Sequence, residues 1–96
     1  MLKVVEIDYL DDSKLLCKFN NGERRVLDLK KTLNKKDIYA KIILGSDIVQ
    51  QAKIGSFGEI FWENAAEIQD LDGSMITCDY DISPEFAYHN SDLIEK

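Results

Sequence analysis

One proline, one histidine and two cysteines in 96 residues leave little of the usual material for catalysis. A nucleophilic mechanism needs a nucleophile, a base within hydrogen-bond reach and an orienting group, and here His89 alone would have to serve every Ser, Thr and Cys. No GxSxG elbow occurs; "LGSD" and "DGS" read as cap and turn sequences. Cys17 and Cys78 form no CxxC pair and have no companions to complete a tetrahedral zinc site, so they read as a buried small hydrophobe and a strand residue. The five glycines, at 22, 45, 55, 58 and 73, fit neither GxGxxG nor a Walker A loop. No segment approaches the ~18 apolar residues of a membrane span. The opening "MLKVVEIDYLDD" has acids where a signal peptide needs an apolar run, so a cytoplasmic protein with free thiols is expected.

Cations are also in deficit. Twelve Lys and Arg stand against eighteen Asp and Glu, and the formal charge of −6 repels phosphate backbones and anionic lipid surfaces. Lys30, Lys31, Lys35, Lys36 and Lys41 cluster early. They read as a solvated helix face or, alternatively, as a positive stripe on an accessory subunit of a DNA-binding regulator.

With 45% apolar and 31% charged residues, the chain has enough hydrophobic material for one core and reads as a single domain over residues 1–96. Val5, Ile7 and Tyr9, then Leu15, Cys17 and Phe19, then Leu27 and Leu29 alternate with polar residues, which predicts a three-stranded antiparallel meander over 3–29. Asn21-Gly22 suits its second turn, because both residues accept positive φ. Asn34 then caps a helix over about 35–44 that puts Ile38, Ile42 and Ile43 on one face and stops at Gly45. Ser46 caps a short helix through Ile48, Val49 and Ala52. "KIGSFGEIFWEN" reads as a hairpin turning at Phe57-Gly58, and two more short strands flank "DLDGS". Ser83 and Pro84 start a last helix, with Glu85 at its positive end and Phe86 facing the core. The fold class is α+β: a mostly antiparallel sheet, from the N-terminal meander plus the later hairpin, with two or three short helices.

Two sets of residues are candidates for function. Trp62, Phe57, Glu63 and Asn64 form an aromatic and acidic group suited to protein interaction; Glu59 and Glu63 make the field wrong for nucleic-acid stacking. Asp79, Asp81, Glu85 and His89 could supply metal ligands or acid/base groups of a small enzyme, although turn and cap chemistry explains the same residues. "DLDGS" departs from an EF-hand loop, since Gly73 follows Asp72 directly and the closing Glu is missing. Nothing calls for a cofactor. The sheet edges offer unpaired backbone to another chain, as a homodimer or with a small, basic partner protein.

"VVEIDYLDDSKLLCKFNNGERRVLDL", "IFWENAAEI" and "YDISPEFAY" resemble, in that order, the pattern of the bacterial domain-of-unknown-function 2442 family. There, two strands lead to an F-x-(D/N)-G-x-x-R-x-x-D-L stretch, and a W-x-x-G-A-(D/E) stretch follows a central helical part. Two departures stand out: Ala65 replaces the glycine of many members, and residues 69–79 look like an added segment. The resemblance implies an α+β fold and brings no catalytic residues. It also implies a two-gene, toxin–antitoxin-like context in which this chain is the antitoxin-like member.

Overall fold

A computed structural model describes residues 1–34 and 36–95. Among these residues there are two antiparallel sheets and three α-helices. The first sheet is the expected meander, β1 (Val4–Leu10), β2 (Lys14–Phe19) and β3 (Arg24–Asp28), extended by a C-terminal strand, β7 (Asp92–Glu95), on the outer side of β3. The second sheet has the order β4 (Lys53–Ile54), β5 (Ile60–Gln69), β6 (Met75–Ile82). Between β3 and β4 lie α1 (Leu29–Thr32), α2 (Ile38–Leu44) and a 3-10 turn, Asp47–Gln51; α3 (Pro84–His89) links β6 to β7.

Alternation places Leu15, Cys17, Phe19, Leu27 and Leu29 in the core, as their spacing predicts. The first strand departs from its pattern. The pairing of β1 with β2 shifts between Val4 and Glu6, so that Val4 is buried and Val5 is left exposed. A bulge absorbs one residue and so moves the apolar set by one place. The Asn21-Gly22 turn is likewise different in detail: Gly22 alone has positive φ (89°), while Phe19 receives an N–H bond from Gly22 and donates one to the Glu23 carbonyl. That is a wider turn ending on a left-handed glycine rather than a two-residue turn.

Helix α2 starts later than its sequence suggests. Asp37 is its N-cap, accepting from Tyr39 N at 2.9 Å, whereas Asn34 closes a separate turn through Lys36 N; the expected start at Lys35 lies outside the described residues. Ala40 and Ile43 form its buried side, and Ile38 and Ile42 face outward. On α3 the expected cap is present: Ser83 Oγ accepts from Phe86 N at 3.0 Å, with Pro84 at the first helical position. Phe86, however, is not the core residue. Ala87 is fully buried, because a methyl group lets the short helix sit close, and Tyr88 meets the Phe19 ring edge-on at 5.2 Å.

The two sheets share one hydrophobic core, and a backbone bond ties them together where Val4 N donates to Gly58 O at 3.0 Å. Gly58 has φ 78°, and a Cβ there would lie 2.7 Å from Lys3 Cα, so both conformation and space demand glycine. Gly58→Ala is expected to lower stability by about 2 kcal/mol or more in urea unfolding, since the clash is with backbone rather than a movable side chain. Ser83→Ala should cost about 1 kcal/mol in the same measurement through loss of the α3 cap.

Candidate interaction surface

Strand β5 carries both the core anchor and the main exposed feature. Trp62 is fully buried; its indole N–H donates to Val49 O at 3.2 Å, and its ring meets Tyr80 edge-on at 6.1 Å. The sequence reading of Trp62 as an interaction residue is therefore corrected: in an alternating strand it faces inward with Ile60, and the 3-10 turn supplies the carbonyl its N–H needs. Phe57 (69% exposed), Glu63 and Asn64 do lie at the surface. Glu63 pairs with Lys53 at 2.6 Å.

Just beyond Trp62, β5 bulges. Trp62 is opposite Tyr80 and the next pair is Ala66 with Cys78, which leaves residues 63–65 opposite Asp79 alone. Asn64 takes a left-handed φ of 54°, and its N–H is held by Asp79 Oδ1 at 3.1 Å. The cross-strand pairs Ile60–Ile82, Trp62–Tyr80, Ala66–Cys78 and Ile68–Ile76 thus continue on one face. Exposure rises along that face, from 0% at Ile60 to 43% at Ile76 and 57% at Ile68.

The result is one long hairpin in place of the two further short strands expected around "DLDGS". Its outer part, residues 66–78, leaves the core as an arm whose paired strands run roughly 13 Å by strand rise before the turn, and the molecule measures 48 × 28 × 19 Å. Its radius of gyration, 13.8 Å, exceeds the roughly 12 Å of a compact chain this long. The arm tip exposes Leu71 and Met75 as well. At its base, α2 clamps both strands: Tyr39 Oη donates to Glu67 O at 3.1 Å, and Tyr80 Oη donates to Asp37 Oδ2 at 3.3 Å. Burial and the Asp37 charge hold the Tyr80 phenol above its ordinary pKa. Ile42 lies beside this junction, lining a hollow with Tyr39, Ala65 and Ala66.

The chain segment that forms the arm carries charge of one sign. Residues 54–95 contain ten Asp and Glu and no Lys or Arg. The four proposed metal or acid/base residues are spread over this acidic half and are not gathered. Asp79 holds the bulge, Asp81 lines a groove beside α3, Glu85 sits in the first turn of α3, and His89 is exposed at its end, edge-on to Tyr88 at 5.5 Å. Among the described residues no three His, Cys, Asp or Glu side chains are placed to share a metal ion. Of the early lysines, Lys30 pairs with Asp12, lowering that carboxyl's pKa, and Lys35 lies outside the described residues.

Sequence reasoning missed Ile68, Ile76, Tyr39 and the arm itself. The available signal was the period-two run Ile76, Cys78, Tyr80, Ile82, together with the absence of any cation from residues 54 to 95.

The fold defines a small α+β domain with two antiparallel sheets, one of which extends as an apolar, acid-bordered arm. The family model described as "Protein of unknown function (DUF2442)" matches residues 4–91, and the chain belongs to that family. No curated protein and no solved structure matches it. Among the described residues no helix is long and apolar enough to cross a membrane.

The two thiols differ in environment. Burial pushes Cys17 up to about 12 from its ordinary 9.0, whereas Cys78 is half-buried on the arm. Under native conditions a thiol reagent should modify Cys78 well before Cys17, which reacts only on unfolding. The unfolded chain sheds the Cys17 proton above about pH 9 while the folded one holds it, so stability should decline from pH 9 upward, and less steeply in Cys17→Ala.

Proposed function

We propose that this chain is a protein-interaction module whose partner is a small, basic protein. The observation that carries the reading is the arm: a β-hairpin whose apolar face continues from the core into solvent, set in a half of the chain that has acids and no cations. Contiguous exposed apolar surface bordered by charge is the usual mark of a docking site, and single-sign charge selects and steers an oppositely charged partner. The family's two-gene, toxin–antitoxin-like pairing gives the finer version, in which this chain is the antitoxin-like member that covers its partner.

Co-expression with the product of the adjoining gene, followed by size-exclusion chromatography with light scattering, tests this. A stable complex is expected, with an association rate that falls as salt rises. A chain that elutes alone, beside a partner it never retains, overturns the reading.

A further inference from the structure

Four strands lie at sheet edges, and three are short or blunted. β4 has two residues and β7 four; β1 carries the bulge at Val5 and is tied to Gly58 at its start. Among the described residues β5 beyond Phe61 also has no neighbour on its β4 side, but the bulge at residues 63–65 and the Tyr39 Oη bond to Glu67 O obstruct it. Strand β6 is different. It runs eight residues, contains neither Pro nor Lys, and is the last strand of its sheet. Among the described residues its backbone hydrogen-bonds to β5 and to nothing on its other side. Such an edge is a template for another strand, and natural domains normally obstruct it.

The two faces of β6 carry different chemistry. Ile76, Cys78 and Tyr80 continue the apolar face, with Ile68 beside them, while Thr77, Asp79 and Asp81 lie on the other. A groove of about 360 Å³ opens beside the last residues of the same strand, with Leu33, Ile82 and Phe86 among its walls.

We infer that the outer edge of β6 accepts an extended strand from the partner protein, in which apolar residues alternate with Lys or Arg. This rests on the interaction-module reading and says where and how that module binds. Backbone pairing supplies the register. The strand's apolar side chains then fall beside Ile76, Cys78 and Tyr80, and its cations fall beside Asp79 and Asp81. Its end reaches the groove at Phe86. A second copy of this chain is the poorer occupant, since pairing β6 with itself brings acid-bearing strands together from two halves that hold no cation.

The test uses the full chain, labelled with nitrogen-15, and three synthetic seven-residue peptides: alternating Lys and Val, alternating Glu and Val, and the Lys/Val composition with all Lys in one block. Saturable shifts of the amides of residues 75–82 are expected with the alternating Lys/Val peptide alone. Ile76→Lys and Asp81→Lys, both at exposed positions outside the core, should each weaken its binding about tenfold or more. Absence of shifts up to about 1 mM peptide, shifts centred on β1 or β7, or equal binding of the blocked peptide overturns the inference. So does a concentration-dependent dimer abolished by Ile76→Lys, which assigns the edge to a second copy. If the co-expressed partner binds Ile76→Lys and Asp81→Lys as tightly as the parent chain, strand addition falls and the interaction reading stands. If no partner is retained at all, that reading falls instead.

Discussion

The burial of Trp62 governs the second half of the molecule. An indole in the interior must place its one N–H on an acceptor, and the acceptor here is the Val49 carbonyl at 3.2 Å, presented by the 3-10 turn. That bond fixes which residues of β5 face inward. Ile60 joins Trp62 inside, and Tyr80 and Ile82 on β6 follow by pairing. Because side chains alternate, the same choice aims Ala66, Cys78, Ile68 and Ile76 onto the extension of that face, where Ala66 and Cys78 are half-covered and Ile68 and Ile76 are exposed. The arm's apolar stripe is thus a consequence of how the core is anchored.

The C-terminal segment is held differently, by polar groups. The Arg25 guanidinium bonds Ser91 Oγ at 2.9 Å, Ser91 O at 2.8 Å and Glu23 Oε1 at 2.8 Å, and it lies 4.4 Å from the centre of the Tyr88 ring. Tyr88 Oη donates to Glu23 Oε2 at 2.6 Å, which raises the phenol's pKa. Arginine suits this position because its planar fork satisfies several acceptors while its face stacks on an aromatic ring. The cluster seats α3 against the first sheet and brings β7 alongside β3, leaving the groove between α1 and the end of β6.

The two halves of the chain therefore divide the work of the domain. Residues before β4 supply most of the core and nearly all the cations, while the later residues supply the acidic arm and the open edge. Asp79 illustrates how a residue that could be read as chemistry acts on shape. Its carboxylate holds the left-handed Asn64, and the bulge it stabilises marks where β5 leaves the core.

The meander, the Gly22 turn, the Ser46 and Ser83 caps and the hairpin at Gly58 were legible from the sequence because each depends on neighbours a few residues apart. The same holds for the burial of Cys17 and for the acidic balance. Less legible were the choices made between distant segments. The Val5 bulge exchanges one inward residue for another at the place where Val4 meets Gly58 across the two sheets. Ala87 displaces Phe86 from the core because α3 must fit against the first sheet, and the sequence of α3 contains no record of that surface. Likewise Trp62, which the sequence offers as a core anchor or as part of an interaction face, was settled by the position of the Val49 carbonyl. Local pattern determined the elements and their faces, through the fixed periods of strand and helix. Tertiary packing decided which faces found cover, because burial depends on what another part of the chain can reach, and it left the outer half of β6 without any.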